Sequence, residues 1–377
     1  VSEYQYIGFR AIDEPVSKTN LAYMRRQSTR ARITPWSFDN EYGFGDFHGN
    51  APEMLRRGYD IHLHYANFGV RTLMIRLPVG FPDEATAKPY LMSESIEVRK
   101  DKKGPGRILI IEPGFEPGDL EDLWDLDDLL DRLLPLRAEI LAGDSRPLYL
   151  ANLAAATDSY CDPDEWHEPP VPAGLDDLTP AQSALAELYA LSDALLAAAA
   201  RDSPPMPTRP ETGNRYNEWL ARQPETIKDE RLAALMADPD AAVRGQLLRD
   251  FRKSQRPELW PTAHLARTMT QLTSTAEEIQ QAKSRRKAAA TARSRAQKLK
   301  KMASDPSATL RKAEQLVKQR TLEAYRQVAL LLADLRESLT GTKDSELAGQ
   351  YAKNLKANHP TAHNLTSALR KQGFLKR

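Results

Sequence analysis

A single cysteine, Cys161, stands in 377 residues. One thiol cannot close an internal disulfide or build a multi-cysteine zinc motif, which fits a reducing compartment. No apolar stretch approaches the roughly 18 residues that a membrane helix needs. The opening VSEYQYIGF also lacks the basic-then-apolar order of an export signal. These absences predict a cytoplasmic chain without a membrane span. G-x-S-x-G, Walker, H-E-x-x-H and kinase patterns are missing too. No cofactor or metal ion is therefore expected, and an enzymatic role has no signature to rest on.

What is present points to a divided molecule. The length exceeds what one hydrophobic core organises, so two domains are expected, with room for a third. Hydrophobic content of 41% with 28% charged residues is ordinary for a globular chain, while 26 prolines and a mean hydropathy of −0.57 indicate exposed helices and linkers. The net charge of +1 conceals a strong asymmetry. Residues 112–168 carry sixteen acids against Arg132, Arg137 and Arg146, whereas residues 283–320 carry thirteen Lys or Arg against Asp305 and Glu314.

Patterning gives an α+β fold class: a mixed-sheet N-terminal domain over 1–155, then an all-α C-terminal domain. YIGFRAI (6–12) reads as strand and VSKTNLAYMRRQ (16–27) as helix. APEMLRRGYDIHLHYANFG (51–69) is predicted to be one helix, capped by Asn50 and closed by Gly69. VRTLMIRLP (70–78) is a strand, SIEVRK and RILIIEP form a hairpin around DKKGPG, LEDLWDLDDLLDRLLPLRAEILAG (120–143) is helical, and RPLYLANL (146–153) reads as a further strand. Pro-rich passages at 158–177 and 203–213 make 156–214 a pair of linkers flanking a helix at 180–202.

From 215 to 377 the pattern is helical. ERLAALMADPDAAVRGQLLRDF (230–251) reads as a helical pair around DPD, with Leu232, Leu235 and Met236 answering Val243, Leu247 and Leu248. Residues 275–303 and 308–339 read as the two arms of an antiparallel hairpin broken at SDPS, with Ile279, Ala282, Ala289, Ala292, Ala296, Leu299 and Ala303 on a thin seam against Leu310, Ala313, Val317, Ala324, Val328, Leu331 and Leu335.

The strongest local signal is AKSRRKAAATARSRAQKLKK (282–301). Lys283, Arg285, Arg286, Lys287, Arg293, Arg295, Lys298, Lys300 and Lys301 on one helix could line up several phosphates, so they form the candidate nucleic-acid surface. The competing readings are a solvated helix and a helix paired with an acidic protein surface such as 112–168. Arg30, Arg32, Glu41, Asp46 and His48, around the glycines of EYGFGDFHG, form a candidate ligand site that matches no phosphate-loop fingerprint. Trp36, Phe38, Tyr42 and Phe44 share one parity beside Arg30 and Arg32, a pattern that would serve base stacking but that a buried strand face needs equally. His62 and His64 would share a face only on a strand; on the expected helix they diverge, which argues against a metal site with His48 and Asp60. The acids around Cys161 disfavour a thiolate there.

Two stretches carry resemblances. YIGFRAIDEP, STRARITPWSFDNEYGFGDFHG and HLHYANFGVRTLMIRLP resemble the front end of a widespread uncharacterised bacterial protein family, over about the first 80 residues. LEAYRQVALLLADLRESL with LAGQYAKNLKANHPTAHNLTSALRKQGF (320–377) resembles the TPR-like helical tails of such proteins and of SWIM zinc-finger proteins, on Ala324, Tyr325, Val328, Leu331, Leu335, Arg336, Leu355, His359, Leu365, Leu369 and Gly373. The zinc ligands of a SWIM finger are absent. What the resemblance implies is a helical protein-interaction module.

The resulting expectation is a non-enzymatic interaction or adaptor protein. It would bind a protein partner through its helical domain and nucleic acid through 282–301. The alternatives are an enzyme with a site around Glu41, Asp46 and His48, and a structural subunit of a larger assembly in which acidic and basic halves of neighbours pair.

Overall fold

The computed structural model describes residues 3–43, 45–92, 95–100, 106–116, 118, 122–157, 161–206, 212–237, 243–254 and 261–376. The fold is α+β. It divides into two compact units, Val1–Gln280 and Gln281–Arg377, a boundary well beyond the expected 155 and 215. No helix among the described residues is long and apolar enough to cross a membrane.

The first unit opens with β1 (Gln5–Arg10), α1 (Lys18–Gln27), β2 (Arg32–Ile33), β3 (Ser37–Tyr42), α2 (Ala51–Arg56), β4 (Ile61–Ala66) and β5 (Val70–Leu77). A short α3 (Glu84–Ala87) leads to β6 (Ile96–Lys100) and β7 (Arg107–Ile111). Seven strands form one sheet in the order β2-β3-β1-β4-β5-β7-β6, and each recorded pairing is antiparallel. Most of the DKKGPG turn lies outside the described residues.

The segment 51–69 is a helix of only six residues followed by a strand. Gly58, at φ 149°, stops the helix, and Gly69, at φ 107°, turns β4 into β5. Ile61, Leu63 and Tyr65 then bury on one face of the strand and His62 on the other, while Tyr59, just before it, packs against Phe9. The second correction runs the other way. RPLYLANL is not a strand but the start of α6 (Arg146–Ala156), after α4 (Leu126–Leu133) and α5 (Pro135–Leu141). Every residue of α6 is buried, so it has no polar face to show a period, and a short apolar run is then ambiguous between helix and strand.

Both faces of the sheet are covered. Ile7, Phe9, Phe38, Ile108 and Ile110 face α1 and α2, packing on Leu21, Met24, Met54 and Leu55. Leu63, Leu73, Ile75, Leu109 and Ile111 face α4, α5 and α6. Gly8 permits the close approach of α4, because a Cβ there would lie 2.5 Å from Leu130 Cδ2. Buried charge ties the layers together. Asp60 accepts from Arg76 at 2.7 Å and from the Ile12 amide at 2.7 Å, while Arg137 of α5 donates to Asp13 at 2.7 Å. Arg76 and Arg137 hold the Asp60 carboxyl below its ordinary range against the opposing effect of burial.

The first Pro-rich passage belongs to this core. Trp166, Val171, Ala173 and Leu175 are buried, and β8 (Val171–Pro172) pairs with β9 (Thr262–Ala263), a short strand inside the region expected to be purely helical. Glu168 receives two hydrogen bonds from Arg267, at 2.7 and 2.8 Å, and one from Tyr149 at 2.5 Å. The helix expected at 180–202 is two, α7 (Pro180–Leu188) and α8 (Asp193–Ala200), broken at Ala190 with φ 52°; both contribute buried residues to the core. α9 (Thr212–Ala221), α10 (Glu225–Ala237) and α11 (Val243–Ser254) follow, with DPD outside the described residues. Leu232, Leu235 and Met236 are exposed rather than facing α11; Phe251 instead packs edge-on to Tyr216 and Trp219.

The chain then enters α12 (Met269–Ser304), 36 residues long, which continues into the second unit. There α13 (Pro306–Lys318), α14 (Leu322–Ser338), α15 (Leu347–Asn358) and α16 (His363–Lys371) surround a core of Ala313, Val317, Val328, Leu332, Leu335, Ala352, Leu355, Leu365 and Leu369. The helical hairpin is made by α13 and α14, joined at Arg320 with φ 53°. Leu310, Ala313, Val317 and Val328 thus meet as a seam, whereas Ala282, Ala289, Ala292 and Ala296 do not join it and are exposed. Each alanine methyl buries little area, so such a stripe holds a partner helix weakly. Arg336 donates to Gln372 O at 3.0 Å and lies 4.4 Å from the Phe374 ring centroid, which fastens the chain after α16 to α14.

Candidate nucleic-acid interface

The sequence of α12 favours helix at almost every position. Ala, Lys, Arg, Gln and Glu predominate, and Gly and Pro are absent from 269–304. Thr268 caps the start: its hydroxyl accepts from Gln271 N at 3.3 Å while the Gln271 side chain accepts from Thr268 N at 3.0 Å. Asp305 and Pro306 end it, because Asp305 caps α13 by accepting from Ala308 N at 3.0 Å.

Met269, Leu272 and Ala276 at its start are buried in the core of the first unit, and the middle of the helix is uncovered. Residues 281–298 are all exposed, so the stretch is held by its own backbone bonds and by propensity. Contact with the bundle begins near its C-terminal end, where Leu299 is half-buried and Met302 enters the core of the second unit. Two cations meet acids of α14. Arg295 donates to Glu337 at 2.6 Å and to Asp334 at 3.4 Å, and Lys298 donates to Asp334 at 2.6 Å. The pairing runs antiparallel, and hydrogen bonding from Glu337 raises the Arg295 pKa further.

The nine candidate residues therefore differ. Arg295, Lys298 and Met302 define the side of α12 that faces α14. Arg286, Arg293 and Lys300 recur every seven residues, and at 100° per residue they lie about 160° away from that side. Lys283, Arg285, Lys287 and Lys301 are exposed on the remaining surface. No acid interrupts 283–301. Asp334 and Glu337 were not visible as members of this surface from sequence, although their i, i+3 spacing puts both on one side of α14.

The acidic stretch looks different in space. Asp131 accepts from Arg10 at 2.7 Å, Asp128 from Arg132 at 3.0 Å, Asp144 from Arg146 at 2.8 Å, and Glu168 from Arg267. Four of its acids are thus paired with arginines inside the first unit.

The second candidate cluster does not converge. Arg30 is exposed, and Arg32 lies in β2, opposite Asp39 of β3. Register places Tyr42 across from Gln5, so Glu41 projects from the opposite face of the sheet. Asp46 accepts from the Gln5 amide at 2.9 Å, and Gln5 contacts His64 Nε2 at 3.3 Å; His48 is exposed. What the strand does unite is His62 and His64, on one face of β4. His62 is buried, stacks on Phe9 with 4.1 Å between ring centroids, and places Nδ1 2.9 Å from Gly8 O. Burial drives its pKa down to about 3, and burial also lowers that of His64 against the pull of Asp46. No group of three or more His, Cys, Asp or Glu among the described residues is arranged to hold a metal ion. Phe38 is core, edge-on to Phe9 at 5.4 Å, while Trp36 is exposed; Phe44 lies outside the described residues. Comparison of the chain with protein-family models, with curated proteins and with solved structures finds no match.

Proposed function

We propose that this chain is a non-enzymatic binding protein that attaches to the phosphates of nucleic acid through α12 and to a protein partner through its C-terminal helices. The observation that carries the first half is an uncovered helix with nine cations and no acid over 283–301. At 1.5 Å per residue this is one positive charge per about 3 Å, close to the spacing of about 3.4 Å between phosphates along one strand of a duplex. Exposed Leu322 and Leu330 on α14 support the second half. The enzyme alternative loses support because Glu41, Asp46 and His48 do not line one cleft. The charge-paired assembly has less support because Asp128, Asp131, Asp144 and Glu168 already pair with arginines of the first unit.

The test is salt-dependent binding of the full chain to a mixed-sequence nucleic acid, with poly-glutamate of equal charge as competitor. A log–log slope against salt between about −3, for Arg286, Arg293 and Lys300 alone, and about −6, for the seven cations other than Arg295 and Lys298, which bond α14, is expected. Replacing Arg285, Arg286, Lys287 and Arg293 by alanine should cut the affinity at least tenfold. Absence of salt-dependent binding, or poly-glutamate competing as well as nucleic acid does, overturns the reading.

A further inference from the structure

Cationic side chains on α12 are not spread evenly around its axis. Arg286, Arg293 and Lys300 form one row, each about 10.5 Å from the next. Lys287, Ser294 and Lys301 form a parallel row about 100° around the helix. The strip between them holds Ala290 and Gln297, neither of which is bulky or acidic. The side facing α14, marked by Arg295, Lys298 and Met302, is turned away from the Arg286 row.

We infer that α12 lies in the major groove of double-stranded, B-form DNA, with its two cationic rows directed at the phosphates of the two strands and the Ala290–Gln297 strip toward the groove floor. This rests on the proposed phosphate binding and narrows it to one nucleic-acid form. Three features carry it. A helix with its side chains is about 10–12 Å across, and the B-DNA major groove is about 12 Å wide. The major groove of A-form RNA is too deep and narrow to admit such a helix. Proteins that hold single strands stack bases on aromatic rings, and α12 contains no aromatic residue in its 36 positions. Exposure of residues 281–294, before the contacts with α14 begin at Arg295, leaves about 21 Å of helix open for this contact. Few side chains on the strip can read base edges, Gln297 being one, so the contact is phosphate-dominated and weakly sequence-selective.

Fluorescence anisotropy of the full chain with a 24-base-pair DNA duplex, a double-stranded RNA of the same length and a single-stranded DNA decides the matter. The DNA duplex should bind at least tenfold tighter than either of the others. Arg286→Ala/Arg293→Ala/Lys300→Ala should lower duplex affinity at least tenfold and reduce the magnitude of the salt slope by about 3. Arg311→Ala/Lys312→Ala/Lys318→Ala, which removes the same charge from α13, should change it less than threefold. Alanine is the best helix former, so the first variant keeps its helix, and circular dichroism verifies this. Equal binding of RNA or single strands overturns the groove inference while phosphate binding stands, and equal losses in the two triple variants overturn the row assignment. If none of the three nucleic acids binds, phosphate binding falls with it.

Discussion

His62 is the residue whose chemistry is most altered by its surroundings. Folded, it stays neutral down to about pH 3, whereas its ordinary value is 6.5. The unfolded chain therefore binds the extra proton throughout that window, and stability falls as pH drops through it. His64, also lowered, acts in the same direction. Asp60 adds to the loss at lower pH: its stabilisation is present above 3.8 and disappears as pH falls through its depressed folded value. Between pH 6.5 and 5 the His62 contribution alone amounts to about 2 kcal/mol. His62→Gln retains a donor for Gly8 O and cannot titrate. Urea unfolding at a series of pH values should show a flatter acid limb in this variant. An acid limb as steep as that of the original chain would show that His62 is not the group responsible.

At the scale of the element, α12 draws its order from local propensity over 281–294, where every residue is exposed. Glycine costs about 1 kcal/mol relative to alanine in such a helix. Ala289→Gly/Ala292→Gly leaves every cation in place, yet it should lower helical circular dichroism and weaken nucleic-acid binding severalfold, because the rows lose their alignment. Unchanged affinity with reduced helicity would mean that charge density alone, without helical register, supports binding. The seam of α13 and α14 behaves differently, since buried Val317, Val328 and Leu332 carry its stability.

For the whole molecule, two compact units imply two unfolding units. Trp36, Trp124, Trp166, Trp219 and Trp260 all lie within Val1–Gln280, so tryptophan fluorescence reports the first unit, while far-ultraviolet dichroism reports both. Leu130 and Leu332 are fully buried, one in each core. Each Leu→Ala change should cost about 2–5 kcal/mol. Leu130→Ala should move the fluorescence transition to lower denaturant, whereas Leu332→Ala should move only a dichroism transition. A fluorescence midpoint shifted equally by Leu332→Ala would show that the two units unfold as one.

Sequence alone determined the features that depend on near neighbours in the chain. The α+β class, the strands 6–12 and 70–78, the Asn50 cap, the long basic helix and its clustered charge are legible because propensity, capping and composition act locally. Three things required the tertiary structure. His62 and His64 share a strand face because Ile61, Leu63 and Tyr65 bury against α4–α6 as a sheet, a choice that a short apolar run cannot announce. The first Pro-rich passage lies in the core, where Glu168 meets Arg267, 99 positions away. The division of the nine cations into α14-facing and outward-facing sets came from Asp334 and Glu337, about 40 positions distant. Ion pairs and cores close between surfaces that only folding brings together, and no periodicity along the chain records them.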